Sequence, residues 1–197
     1  YYDRNSLSEF IQKACKDVFI PITVGGGIRN IKDIQQALNS GADKVAINTQ
    51  AINNPQFIQE ASKIFGSQCI VSSIEAKKIS DGKWEAYIEN GREPTGLDVL
   101  EWARKVKELG AGEIMLTSID REGTKKGFDL ELNQMVSNAV SIPIISSGGI
   151  KNSDDAILLL KNSCVDAIAT ASTLHYNLEE IQDFKQNLAN NGVKVRV

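Results

Sequence analysis

A single histidine, His175, serves the whole of this 197-residue chain. One imidazole leaves a histidine-rich metal centre or a Ser/His/Asp relay with almost nothing to work with. Cysteine is scarce too. Cys15, Cys69 and Cys164 are odd in number, far apart and set in apolar contexts. Buried thiols in a reducing cytosol explain them better than disulfides or a metal site, so a cytoplasmic protein without metal or cofactor is expected. No apolar run reaches the length of a membrane span and no signal peptide is visible. Charge of one sign is also lacking. Twenty-two basic against 25 acidic residues give a net charge of −3, which offers no general electrostatic case for nucleic acid or an anionic membrane as partner. The first residue is not methionine, so a processed, cloned or incomplete N-terminus is left open.

What is present is alternation. Short apolar, β-branched runs occur at 20–24 (IPITV), 44–48 (KVAIN), 69–76 (CIVSSIEA), 113–119 (EIMLTSI), 142–146 (IPIIS) and 166–172 (DAIATAS). Helix-period segments lie between them, as at 30–41, 54–66, 97–110 and 130–140. Strands apolar on both faces and separated by helices signal an α/β fold with a helix-covered parallel sheet. The chain also repeats itself: IPIxxxGGIxN at 20–30 recurs at 142–152, and GADKVAINT (41–49) answers CVDAIATAS (164–172). Two related blocks about four βα units apart predict a (β/α)8 TIM barrel with a half-barrel repeat. A doubly wound open sheet is the alternative, and it leaves the repeat unexplained. Six strands fall short of eight, so residues 1–197 read as one barrel domain that is incomplete at its N-terminus. The first two strands and the helix between them are expected to be missing. The segment 77–96 holds two hairpin-type turns, Asp81-Gly82 and Asn90-Gly91, and reads as a β-ribbon inserted over the active-site face.

Chemistry is expected at the strand exits. The glycine clusters at 24–28 (VGGGI) and 146–150 (SSGGI) each follow a strand and open a helix. Backbone there can approach a ligand closely, and free helix N–H groups attract an anion. Asn48-Thr49 and Ala171-Ser172, at the next strand exits, could each complete one oxyanion cradle. Two cradles predict a bisphosphorylated ligand; tight packing is the bland reading of the same glycines. Glu75, Asp120 and Glu122 supply carboxylates at strand ends, where burial raises a pKa toward the range of acid/base work. An ion pair with Lys77 or Arg121 is the alternative, and it is favoured for Asp120 because Arg121 adjoins it. Glu75 follows an uncharged strand and has the stronger functional claim. Lys44 and Glu113 each open a strand and read as a salt bridge at the barrel floor. His175 reads as a loop or packing residue, and Trp84 and Trp102 as core.

The runs TVGGGI, GADKVAINT, FGSQCIV, GAGEIMLTSIDREGTKKGFD and IPIISSGGI, in this order and spacing, resemble the cyclase subunit of imidazole glycerol phosphate synthase. The match runs along essentially the whole chain. DKVAINT and LTSIDREGT distinguish it from the sister isomerase of histidine biosynthesis. The resemblance implies a lyase-type cyclase that cleaves a bisphosphorylated formimino-ribulosyl substrate and closes an imidazole ring. It implies one phosphate site at Gly27, Asn48 and Thr49, and another at Gly123, Gly149, Ala171 and Ser172. It also implies ammonia delivered by a partner glutaminase in a heterodimer, with Lys44 and Glu113 at the gate and Asp43 at the interface. Glu75 and Glu122 stand at acid/base positions where the family carries aspartate. The family's other catalytic aspartate belongs on its first barrel strand, outside this chain. Those departures keep two further readings open: a paralogue that amidinates a sugar for surface-polysaccharide synthesis, and an inactive barrel that binds phosphate metabolites.

Overall fold

Asn30 and Asn152 occupy the same place in the two repeated blocks, and each starts a helix in the same way. The side chain of Asn30 accepts the Asp33 N–H at 3.1 Å, and Asp33 accepts the Arg29 N–H at 2.8 Å. Asn152 accepts the Asp155 N–H at 3.3 Å, and Asp155 accepts the Lys151 N–H at 2.8 Å. Reciprocal capping of this kind satisfies donors that have no partner within the helix, and each cap contributes about 1 kcal/mol. The bottoms of the following strands repeat as well. Asp43 accepts the Ile22 N–H at 2.7 Å, and Asp166 accepts the Ile144 N–H at 2.9 Å.

The computed structural model describes residues 4–196, which form two compact units. The first comprises the described residues through Ser73 together with Val106–Glu113. It contains α1 (Arg4–Asp17), β1 (Thr23–Gly25), α2 (Ile31–Asn39), β2 (Lys44–Ile47), α3 (Thr49–Asn53), α4 (Gln56–Phe65) and the start of β3 (Ile70–Ser80). β1 pairs β2 in parallel, with Gly25 opposite Ala46, and β2 pairs β3 in parallel, with Val45 opposite Ile70. Val24, Val45 and Ile70 thus share one face of the sheet. All are buried, as are Ile34 and Ala37 of α2 and Phe57, Ile58 and Ala61 of α4. Burying each large aliphatic side chain contributes about 1.5–3 kcal/mol.

The second unit, Ile74–Lys105 with Ile114–Val197, holds the rest of β3, then β4 (Lys83–Ile88), β5 (Glu93–Asp98) and most of α5 (Val99–Glu108). It continues through nearly all of β6 (Glu113–Ser118), α6 (Leu130–Ala139), β7 (Ile144–Ser147), α7 (Ser153–Asn162), β8 (Ala167–Ile168), α8 (Ser172–His175) and α9 (Ile181–Asn190). β3 neighbours β6, and β6, β7 and β8 follow in order through parallel pairs. All six anticipated strand regions therefore carry strands in an α/β arrangement. The inserted segment is a ribbon, as its turns predict. β4 pairs antiparallel with the extension of β3 and with β5, and Glu89, Asn90, Gly91 and Gly82 adopt positive φ in the turns.

Several expectations need correction. The strand at 20–24 begins only at Thr23, and Ile20 is exposed. The strand at 166–172 is confined to Ala167–Ile168, because the backbone turns at Ala171 into α8. Nor are the strands buried equally on both faces. In β6, Ile114, Leu116 and Ser118 are buried while Glu113, Met115 and Thr117 are half-buried, so only one face is fully closed. The cysteines are free, as expected, but they are not all buried. Cys15 and Cys69 are half-buried and Cys164 is exposed, since it lies on the surface connection from α7 to β8. Tyr1–Asp3, the start of the segment read as a loop and helix, lie outside the described residues. No described helix is long and apolar enough to cross a membrane, and no group of three or more potential metal ligands occurs among the described residues.

Candidate active site and anion cradles

In the first unit, Gly25 stands opposite Ala46 at the last paired position of β1 and β2, and Gly27 and Asn48 each follow two residues further along their chains. Gly27 has φ +70°, and a Cβ there would meet nothing within 4 Å. Its glycine character therefore comes from the backbone conformation, and the space beside it is open. Asn48 caps α3, whose first residue is Thr49. Gly27, Asn48 and Thr49 thus follow the exits of the neighbouring strands β1 and β2.

The second unit repeats this plan with one difference. Ser146 pairs with Ile168, and Gly149 and Ala171 each follow three residues further along their chains, with Ser172 at the start of α8. Asn48 (φ −120°, ψ −85°) and Ala171 (φ −125°, ψ −59°) have closely similar backbones. Gly149, unlike Gly27, is packed tight. A Cβ there would stand 2.3 Å from the carbonyl oxygen of Gly127 and 2.8 Å from Cβ of Arg121. The loop that follows β6 leans on this glycine, and the Gly127 N–H donates to the Gly149 carbonyl at 2.8 Å. Close packing therefore requires glycine at 149, whereas the side of Gly27 is open. Gly123, at φ +71° in the same loop, has nothing within 4 Å of a Cβ.

The carboxylates are placed by β3 and β6. Glu75 lies on β3 opposite Tyr87 of the ribbon; it is half-buried, with Oε2 fully enclosed. Glu122 is exposed in the β6 exit loop, with its N–H donating to Ser118 at 2.9 Å. Its Oε2 would lie 3.3 Å from a Cβ on Gly148, which puts Glu122 beside the glycine pair of the second cradle. A bond from the Ile119 N–H to the Ala76 carbonyl, 2.9 Å, aligns the ends of β3 and β6.

The ion pair favoured for Asp120 does not form. Asp120 accepts the backbone N–H of Lys78 at 2.7 Å, and Arg121 donates to the Lys126 carbonyl at 3.3 Å. Lys77 places its ammonium over the Tyr87 ring, 5.4 Å from the centroid. The reason is tertiary. β6 has already turned away, and the Lys78 amide on β3 needs an acceptor.

At the other end of the strands, Lys44 and Glu113 form the ion pair the sequence suggests, both largely buried. Asp43 beside them is held by the Ile22 N–H. His175 is exposed against Tyr176, and Trp84 and Trp102 are buried.

A set of contacts around Trp84 escaped the sequence reading. The indole N–H donates to Asp129 Oδ2 at 3.1 Å, and the Ser118 hydroxyl reaches the same oxygen at 3.4 Å. Asp129 Oδ1 accepts the Leu132 N–H at 3.2 Å and so caps α6. Lys78 lies over the Trp84 ring and bonds Glu131 at 3.0 Å. That hydrogen bond raises the Lys78 ammonium above the ordinary lysine pKa, with partial desolvation opposing it. The one available signal was an aspartate directly before the apolar helix 130–140, a helix-start pattern. A cleft of about 710 Å³ opens beside this cluster and is lined by Lys78, Asp120, Arg121 and Asp129 among others. Neither Glu75 nor Glu122 borders it, and most of its acids are engaged in the bonds just given.

Parallel strands in the order β1-β2-β3-β6-β7-β8, with glycine-rich exits in both repeats and a carboxylate on the intervening strand, define an α/β protein consistent with a TIM-barrel-like fold. The family model for "Histidine biosynthesis protein" matches residues 2–179. An imidazole glycerol phosphate synthase subunit HisF from Bacillus cereus (strain ATCC 10987 / NRS 248) is 47% identical over 194 residues, covering 98% of this chain and 77% of the relative. The subunit of the same name from strain Q1 matches to the same extent. The chain belongs to the histidine biosynthesis protein family.

Proposed function

We propose that this chain is the cyclase subunit of imidazole glycerol phosphate synthase in histidine biosynthesis. In this reading its six βα units belong to a (β/α)8 barrel, and the ribbon lies over the active-site face. The observation that carries the proposal is the repeat of one strand-exit plan, Gly27 with Asn48 and Gly149 with Ala171. A ligand with a phosphate at each end of a short sugar-derived chain is the substrate class that uses two such cradles. Gly27, Asn48 and Thr49 hold one phosphate; Gly123, Gly149, Ala171 and Ser172 hold the other.

The chemistry between the phosphates is proton traffic. An ammonia nitrogen that enters a ring must lose protons as it bonds to carbon, and the aminoimidazole carboxamide leaving group must gain one. Glu75, half-enclosed on β3, is the acid/base group for these transfers. Glu122 is a poor phosphate ligand because like charges repel; beside Gly148 it acts on a substrate hydroxyl or proton. Each glutamate reaches about 1–1.5 Å further than an aspartate, and an active site here must take up that difference. Mismatch on that scale otherwise costs about a hundredfold in rate.

Ammonia comes from a glutaminase partner. Lys44 and Glu113 form the gate, and Asp43, on the same rim, contacts the partner. The relatives' names support the reading, since both describe a subunit of the synthase. Ammonium salt and the formimino-ribulosyl substrate, followed by the absorbance change on cleavage, provide the test. Turnover supports the proposal. Tight binding without turnover favours the inactive barrel, and no binding favours a sugar amidinated at another acceptor.

A further inference from the structure

We propose that the ribbon is a splint for the phosphate-binding loop, and that Asp120 is the positioning residue through which it acts. This inference rests on the function proposed above, because it assigns the loop 119–128 to the second cradle.

The argument starts where a β-ladder runs out. The Ile119 N–H to Ala76 carbonyl bond links the main chains at the exits of β6 and β3. Past it, β6 folds back on itself, and the N–H groups of Arg121 and Glu122 both donate to the Ser118 carbonyl. β3 instead continues to Ser80 as one arm of the ribbon. The Lys78 amide therefore meets no strand on that side. The Asp120 carboxylate takes the vacant acceptor position at 2.7 Å and extends the ladder by one rung made from a side chain.

The far end of the loop is tied to the same ribbon. Asp129 accepts the indole N–H of Trp84, a residue fully buried within the ribbon. Lys78 reaches from β3 to Glu131, and a Cβ added at Gly82 in the turn would stand 4.0 Å from the same carboxylate. Between these anchors Gly127 is hooked to Gly149. The stretch left without an anchor to another element is Glu122–Thr124, which holds the acid/base candidate and the open glycine Gly123. Its bonds are local: the Glu122 N–H donates to the Ser118 carbonyl, the Thr124 N–H and hydroxyl donate to the Arg121 carbonyl, and the Thr124 hydroxyl oxygen accepts the Lys126 N–H. Rigid flanks around a short free segment place donors accurately without filling the space a ligand needs.

Asp120 has no contact that would make it a reacting group, since its bonded oxygen is spent on a main-chain amide. Its effect must reach substrate through the loop. An asparagine keeps an acceptor for the Lys78 amide and loses the charge; an alanine loses both.

The test is made on the full-length protein with Asp120→Ala and Asp120→Asn, by amide hydrogen exchange and by steady-state kinetics with ammonium. Exchange at Glu122 and Thr124 is expected to rise about tenfold in Asp120→Ala while α4 and α6 amides hold their rates, and to return close to the parent in Asp120→Asn. KM for the bisphosphorylated substrate is expected to rise about tenfold in the alanine variant, with kcat changing much less. Loop exchange unchanged in Asp120→Ala, or raised equally across the molecule, overturns the splint. An asparagine variant as impaired as the alanine one also overturns it, because the charge would then act directly. If the parent protein turns nothing over, the functional reading fails, and the exchange data still decide whether the ribbon holds the loop.

Discussion

Gly149 and Gly27 occupy equivalent places in the two repeats, yet replacing each by alanine should have unequal consequences. At Gly27 the added methyl meets nothing within 4 Å, so stability pays only for a non-glycine residue at φ +70°. A left-handed alanine costs about 1–2 kcal/mol. At Gly149 the φ is +95°, and the methyl would stand 2.3 Å from the Gly127 carbonyl oxygen and 2.8 Å from Arg121 Cβ. Both neighbours belong to a loop tied down elsewhere, so relief means lifting that loop and losing the Gly127–Gly149 hydrogen bond. Overpacking of about 1–3 kcal/mol and a net hydrogen bond of about 1 kcal/mol add to the strain. The sum for Gly149→Ala is about 3–6 kcal/mol. Urea unfolding reads the difference directly. With a slope of about 2 kcal/mol/M, the midpoint should fall by roughly 1.5–3 M for Gly149→Ala and roughly 0.5–1 M for Gly27→Ala. Equal shifts in the two variants would refute the claim that Gly149 is held by packing as well as by its conformation. Gly27→Ala should instead show its main loss as a raised KM, since its methyl points into the space proposed for phosphate.

The other predictions concern charges. Glu113→Gln breaks a largely buried pair with Lys44 and should cost about 1–3 kcal/mol in unfolding free energy, between exposed and fully buried pairs. The same variant should lower glutamine-driven turnover more than ammonium-driven turnover; equal losses would remove the gate role. Lys78 has its pKa raised by Glu131, so the stability this contact gives is complete below the ordinary lysine pKa and disappears as pH rises through the elevated value. An NMR titration of the Lys78 ammonium should shift down toward the ordinary range in Glu131→Gln, and an unmoved titration would show that the hydrogen bond is not its cause.

Much of this arrangement is carried by local signals. The strands, the ribbon and the glycine exits depend on β-branched runs, Asp-Gly and Asn-Gly turns and helix starts, all of which act over a few residues. The half-repeat is visible because Asn30 and Asn152, or Asp43 and Asp166, solve the same local problem twice. Lys44 and Glu113 could be paired on paper because each opens a strand, so topology alone brings them together. Asp120 could not be placed that way. Arg121 adjoins it in sequence, but its partner is set by where the β6 ladder stops short of β3. The difference between Gly27 and Gly149 is equally hidden, since it depends on which loop leans on which glycine. Trp84 read as core, and it is core; that its indole N–H reaches Asp129 depends on a ribbon docking against a helix start some 45 residues away.

The central claim is that Glu75 carries the acid/base work of an ammonia-driven cyclisation, and one comparison addresses it most directly. The full-length protein, Glu75→Gln and Glu75→Asp are assayed with ammonium and the formimino-ribulosyl bisphosphate substrate. Turnover by the parent, a loss of at least about a hundredfold in kcat for Glu75→Gln with KM nearly unchanged, and partial activity in Glu75→Asp are the predicted results. Glu75→Gln as active as the parent, or a parent that binds the substrate and never converts it, would contradict the account.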